Sequence, residues 1–394
     1  MEAFRFGTIV AASILTGAMA IAPLEIAGAA EDVPGVTDDT IVFGSFGTLN
    51  GPTYLFGELP MNGVEVVFHE VNEAGGVNGR KLELVREDDR CDPATAIAAV
   101  KKLIYEENVF AIIGGGCSNA TLATRPEIEK SGVPFIVFAS VADPISHPPA
   151  ANIFSTALTA STESTAQLDF ALERGAQKIA IVAEHDAWGR ARYDPLMEAF
   201  EERSVEPIVN LEMAIDANDA TAQALQIKQA GADAVILVLY PKPAAILARD
   251  LHNLGETPLL VGQSAMSDPL AFAEQVGIPG ATDNFYTINQ VAFTPTDPQA
   301  EKWAKLIEEA FPGDRLSPYN LFGVGAAKVA VEALTRAGPD LTRENFIEAL
   351  GSISGFDAEV YAGPITCGEP PRPHQCNRSP AWLTAKDGQL VVVD

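Results

Sequence analysis

Apolar positions along the chain follow two alternating periods. Short runs rich in β-branched residues at 40–44, 82–85, 110–113 and 134–138 read as strands. Between them the spacing changes. Val64, Val67, Phe68 and Val71 recur at i, i+3, i+4 and i+7, one face of a helix that Gly75-Gly76 ends. A second helix spans 94–105 and opens on Asp92-Pro93, a capping side chain and a first-turn proline. The same alternation then restarts, with strands at 178–183, 208–213, 233–239 and 259–261 and helices at 191–202, 220–230 and 244–254. Such a repeat predicts two α/β units, each a parallel sheet covered on both faces. Two longer helices follow at 300–310 and 321–337, and a last strand at 389–393. Open α/β sheets bind ligands beyond the carboxyl ends of their strands, so two of them facing each other predict a cleft.

The first 30 residues break the pattern. Arg5, an apolar stretch over 7–24 and the small-residue exit Ala27-Gly28-Ala29-Ala30 read as a secretory signal peptide, cleaved before Glu31. No other stretch approaches the ~20 apolar residues of a membrane span. The formal net charge of -27, with no clustered basic run, disfavours nucleic acid and anionic membrane surfaces as partners. The four cysteines all follow the cleavage point. Export favours disulfides, and the pairs Cys91–Cys117 and Cys367–Cys376 fit, the latter clipping the turn Glu369-Pro370-Pro371-Arg372-Pro373. A zinc site using His374 is the alternative for the second pair, although its spacing matches no common zinc pattern.

Chemistry is sparse. Gly114-Gly115-Gly116-Cys117-Ser118-Asn119 follows a strand and opens a helix, so its backbone can approach a ligand and its N–H groups can meet an anion. It is neither a phosphate loop nor a dinucleotide fingerprint. Gly262-Gln263-Ser264-Ala265-Met266 lacks the second glycine of a nucleophile elbow, and His69-Glu70 lacks the second histidine of a zinc-protease helix. No nucleophile–base set is present, so the chain is expected not to be an enzyme and to need no metal or cofactor.

Several segments together resemble the branched-chain amino-acid (leucine-isoleucine-valine) class of periplasmic solute-binding proteins of ABC transporters. They are the stretch from Asn72-Glu73-Ala74-Gly75-Gly76-Val77-Asn78-Gly79-Arg80 through Asp88-Asp89-Arg90-Cys91-Asp92-Pro93, then Gly116-Cys117-Ser118-Asn119-Ala120-Thr121, Asp186-Ala187-Trp188-Gly189-Arg190 and Gly231-Ala232-Asp233-Ala234-Val235. The resemblance covers roughly residues 38–394. It implies the type I periplasmic-binding fold: two doubly wound parallel-sheet α/β lobes joined by three crossovers, with the ligand cleft between them. It also implies the Cys91–Cys117 disulfide, a periplasmic location, permease subunits as partners and a monomer. The lobes are expected at 38–155 plus 290–350 and at 156–289 plus 351–394.

Carried over position by position, the resemblance puts Tyr54 and Phe56 over the ligand and Ser118 and Asn119 at its carboxylate, with Cys117 beside them in the ligand site. Ser140, Val141 and Ala142 follow the fourth strand, and Trp188, Tyr240 and Ser264 line the opposite lobe. Two positions depart from the family pattern. Ala142 replaces the threonine that holds an amino acid, and Ser264 stands where an acid pairs the ammonium. A buried unpaired ammonium costs several kcal/mol. The expected ligand is therefore a carboxylate without an α-amine and with an aromatic or apolar body, ahead of leucine, isoleucine or valine. A soluble ligand sensor is the alternative to transport.

Overall fold

Strand β1 (Thr40–Gly47) pairs in parallel with β2 (Lys81–Asp88) on one side and β3 (Ala111–Gly114) on the other. Adding β4 (Phe135–Val137) and β5 (Ile153–Ser155) completes a five-stranded sheet of order β2-β1-β3-β4-β5. The coordinates are a computed structural model that describes residues 1–3, 7, 33–292, 297–370 and 373–393. Nearly all of the proposed signal peptide lies outside the described residues, as do Pro371 and Arg372 of the proline-rich turn. Residues 33–394 form one unit.

The helices between these strands are α1 (Glu58–Glu73), α2 (Pro93–Tyr105), α3 (Ser118–Ser131) and α4 (Asp143–Ser146). Helix α2 begins as the sequence predicts: the Asp92 carboxylate accepts the Thr95 N–H at 2.8 Å, supplying one of the donors a helix start leaves open. The second sheet has seven strands, in the order β12-β11-β10-β9-β8-β6-β7. Its parallel part comprises β6 (Ile179–Glu184), β7 (Val209–Met213), β8 (Ala234–Val238), β9 (Leu259–Gly262) and β10 (Phe285–Asn289). Around it run α5 (Ala160–Glu173), α6 (Ala187–Glu202), α7 (Thr221–Ala230), α8 (Pro241–Asn253) and α9 (Pro269–Val276). Every residue of β6 and of β8 is buried, as expected for strands covered on both faces.

The chain then returns to the first lobe with α10 (Glu301–Ala310), α11 (Pro318–Ala337) and α12 (Arg343–Gly351). Trp303, Leu321, Val324 and Phe346 from these helices share one core with Phe43, Val64 and Phe68. Helices α1 and α11 pack at backbone range: a Cβ on Gly63 would lie 1.9 Å from the Asn320 carbonyl oxygen. That core also takes Ile353, Val360, Ile365, Cys367 and Cys376, from a segment the sequence reading placed with the second lobe. Only after this does the chain cross again, adding β11 (Ala381–Lys386) and β12 (Gln389–Val393) as an antiparallel hairpin on β10. Its turn residues Asp387 and Gly388 both have positive φ, 50° and 73°, the Asp-Gly pattern of a tight hairpin.

The three crossings lie side by side. The Gln290 amide donates to the Phe138 carbonyl at 2.8 Å and accepts the Leu158 N–H. Asn377 donates to the Gln290 carbonyl, and the Cys376 N–H to the Ser155 carbonyl at 2.7 Å. Both expected disulfides are formed, with Cα separations of 5.4 Å for Cys91–Cys117 and 4.1 Å for Cys367–Cys376. His374 stacks on Phe154 and bonds through Nδ1 to the Ala150 carbonyl.

Candidate functional site

Because β1–β5 of the first sheet and β6–β10 of the second are parallel, the carboxyl ends of these strands open toward the cleft. From the first lobe, the turn after β1 supplies Phe56, the loop after β3 Gly116, Cys117 and Ser118, and the segment after β4 Ala139 and Val141; Phe322 arrives from α11. From the second lobe, α6 supplies Trp188 and Arg192, the loop after β8 Tyr240, and the turn after β9 Ser264 and Ala265. The enclosed space is about 30 Å³, room for about two waters at the ~10–15 Å³ each requires. The lobes are thus drawn together, and a ligand of amino-acid size needs them to part. Two further contacts span the mouth: the Tyr319 hydroxyl donates to the Ala265 carbonyl at 3.0 Å, and Arg315 pairs with Asp268 at 3.2 Å.

Of the residues expected to touch a ligand, Phe56, Cys117, Ser118, Val141, Trp188, Tyr240 and Ser264 line this cavity together. The Val141 N–H donates to Ser118 Oγ at 3.2 Å, which leaves the hydroxyl hydrogen to be given to an acceptor in the cleft. Four others lie elsewhere. Tyr54 is 42% exposed and borders the outer mouth beside Asp268 and Arg315. Asn119 is exposed, one step further along α3 than Ser118 and so turned by about 100°. Ser140 is buried with its hydroxyl 2.7 Å from that of Thr121. Ala142 packs into the core beneath the first sheet.

The second-lobe wall is a π surface. The Trp188 and Tyr240 rings stack with centroids 4.0 Å apart and planes inclined by 20°. The Arg192 guanidinium carbon lies 4.0 Å from the Trp188 centroid, within cation–π range. Trp188 and Arg192 are i and i+4 on α6 and therefore share a face. Arg192 is the one charged side chain lining the cavity among the described residues. Behind it, on the first turn of α5, sits Glu163, with Arg192 Nε 3.6 Å from Glu163 Oε2. Glu163 is wholly buried and Arg192 is 3% exposed. Burial pushes the Glu163 carboxyl up and Arg192 pulls it back; burial also pulls the guanidinium down. Ser264 flanks the carboxylate, and it and Arg192 offset part of the effect of burial.

Neither member of this pair emerges from sequence reasoning. Arg192 carried one available signal, its i+4 spacing from Trp188; Glu163, inside the polar run Ser161-Thr162-Glu163-Ser164-Thr165, carried none. The other acids near the cleft are engaged elsewhere. Asp143 accepts from Ser161, Glu184 from the Tyr240 N–H, Asp186 caps α6 and Asp268 caps α9. Burial pushes the Glu184 carboxyl up to about 7, against the Tyr240 N–H that lowers it. No group of three His, Cys, Asp or Glu side chains among the described residues is placed to hold a metal, and no described helix is long and apolar enough to cross a membrane.

Comparison with known proteins agrees with this architecture. Leu/Ile/Val-binding protein homolog 7 of Brucella abortus is 27% identical over 403 residues, covering 95% of each chain. The substrate-binding protein of a branched-chain amino acid transporter from Streptococcus pneumoniae, solved with isoleucine, superposes with a TM-score of 0.77. It is 18% identical, over 90% of this chain and 99% of that one. A solute-binding protein of an ABC transporter from R. palustris, solved with benzoate, gives 0.74 at 19% identity, over 90% and 95%. The two structures are binding proteins of transporters, each holding a small ligand. Since the periplasmic binding protein family model matches residues 40–387, almost the whole span of the two lobes, the chain belongs to that family and is a binding protein of transport, not an enzyme.

Proposed function

We propose that this protein captures a small carboxylate without an α-amine, with an aromatic or apolar body, and presents it to the permease subunits of an ABC importer. The observation that carries the reading is the charge of the cleft: its one lining charge among the described residues is the cation Arg192. A guanidinium matches a carboxylate in charge and in its fork of donors. Ser118 adds a hydroxyl donor from the opposite lobe, so one carboxylate bridges both lobes and favours their closure. The Trp188–Tyr240 surface suits a flat or apolar body. Related folds carry both classes of ligand, benzoate in one structure and isoleucine in another.

A free amino acid is the second reading, and one observation favours it: Glu163 lies beside Ser264, where the family's ammonium partner is expected. Arg192 stands between that carboxylate and the cavity, which ranks this reading second. A thermal-shift panel of benzoate, 3-phenylpropanoate, hexanoate, leucine and phenylalanine separates the two. The amine-free acids are expected to raise the melting temperature and the amino acids to have little effect, because only binding to the folded state stabilises. Micromolar binding of leucine with no response to any amine-free acid overturns the proposal. Export belongs to the same reading: the mature protein, monomeric in solution, should begin near Glu31, and a cytoplasmic full-length chain would contradict it.

A further inference from the structure

We infer that Glu163 takes up a proton from solvent when a ligand carboxylate pairs with Arg192, so that acid binding is coupled to protonation while amino-acid binding is not. The inference rests on the proposed carboxylate ligand. Its ground is the arrangement of one cation and one anion in series: Arg192 lines the cavity, Glu163 lies behind it, and both are all but fully buried. Without ligand the pair is neutral. A carboxylate arriving at the cavity side of Arg192 puts two anions on one largely buried cation, and like charges in one site disfavour ionisation of one of them. Glu163 is the one to yield, since it is wholly buried behind Arg192 and burial already disfavours its charged form. The balance is simple: the Glu163 carboxylate plus one proton from buffer gives the neutral acid, and the new ion pair is ligand carboxylate with guanidinium.

Among the described groups around the cleft, Glu184 is a second carboxyl raised by burial, to about 7, but it accepts from the Tyr240 N–H and does not pair with Arg192, so Glu163→Gln separates the two. Tyr240 faces Arg192 from the loop after β8, and burial holds its phenol protonated. Asp143 faces it from α4 but receives the Ser161 N–H and hydroxyl. Ser264 flanks Glu163 from the turn after β9. Strands β8 and β9 carry no titratable side chain, and Tyr286 on β10 packs on Phe170, further along α5. Burial already raises the Glu163 carboxyl above its ordinary value, which favours its protonation over that of an exposed acid. An amino acid, by contrast, carries its own ammonium, so two charges become four, the net charge stays zero and Glu163 stays ionised.

Calorimetry of the whole protein in two buffers of different ionisation enthalpy counts protons directly, and benzoate and 3-phenylpropanoate are the probes. At about pH 8 each bound acid is expected to take up close to one proton, and Kd to rise up to tenfold per pH unit. Glu163→Gln should abolish the uptake, flatten the pH profile and bind the acids at least tenfold more tightly than wild type at that pH. Binding of either acid to wild type with no proton uptake from about pH 6 to 8 overturns the coupling and leaves the ligand reading intact. Failure of both acids to bind, with leucine binding instead, overturns the ligand reading and the coupling with it. The wild-type proton count stands even if the variant does not fold.

Discussion

Replacing Arg192 by methionine keeps most of the side-chain volume and removes the charge. Glu163 then remains at 0% exposure with no cation beside it. For charges 3.6 Å apart, Coulomb's law at an effective dielectric near 20 gives roughly 4–5 kcal/mol. The usual cost of breaking a buried pair from one side, about 3–5 kcal/mol, agrees. For a domain of this size that lowers the melting temperature by on the order of 10 °C. The companion change Glu163→Gln strands the guanidinium and should cost a similar amount. The double variant leaves no buried charge at all, and replacing both partners is often close to neutral, so it should recover most of the loss. Unfolding of all four proteins in urea, followed by circular dichroism at about pH 8, yields the coupling energy as a double-mutant cycle. A coupling of several kcal/mol is expected. It should shrink toward lower pH, where Glu163 in the Arg192→Met protein escapes its cost by protonation. If the single changes simply add in the double variant, the pair is not a buried electrostatic unit and the argument built on it fails.

Three further outcomes are expected. Glu184, 3% exposed, has its carboxyl raised from 4.5 to about 7, so the folded state binds more protons than the unfolded one in that window. Stability should fall by up to about 3 kcal/mol as pH rises from about 4.5 to 7, and Glu184→Gln should remove this slope in melting curves. A Cβ on Gly116 would lie 2.3 Å from the Phe56 carbonyl oxygen; Gly116→Ala should weaken ligand binding at least tenfold by displacing Phe56 or Ser118, and unchanged affinity would refute that packing. Removing the Cys91–Cys117 link, with a sequence separation of 26, should cost about 3–4 kcal/mol by loop entropy and lower affinity as well, since Cys117 lines the cavity.

The alternating α/β plan was legible because its signals are local. The run over β8 is apolar at every position, and Asp92-Pro93 announces α2 by capping chemistry. Helix α5 was missed for the opposite reason. Its first turns, Ser161-Thr162-Glu163-Ser164, carry no apolar period, and distant partners hold them: the Ser164 hydroxyl donates to the Arg192 carbonyl and the Gln167 amide to the Val261 carbonyl. Strand β5 is three residues long, too short to show a period. At the site, strand-end positions such as Ser118 and Trp188 could be placed by register and resemblance. The Arg192–Glu163 pair could not, because its partners are 29 positions apart and meet only when α5 and α6 pack side by side.

Because the chain crosses between lobes three times, neither lobe is a continuous stretch of sequence. The Asn320 amide reaches the Leu59 carbonyl across 261 positions, so the face of α1 that packs against α11 stays uncovered until α11 has been synthesised. The second sheet likewise lacks its hairpin edge until the last residues appear. Contacts this distant in sequence slow folding and keep apolar surface exposed meanwhile. A nascent chain stopped before α10 holds two half-built cores, and is open to proteases and to holding chaperones alike. Late completion of both cores delays native folding until α11 and the closing hairpin have both been made, as the proposed export before folding would require.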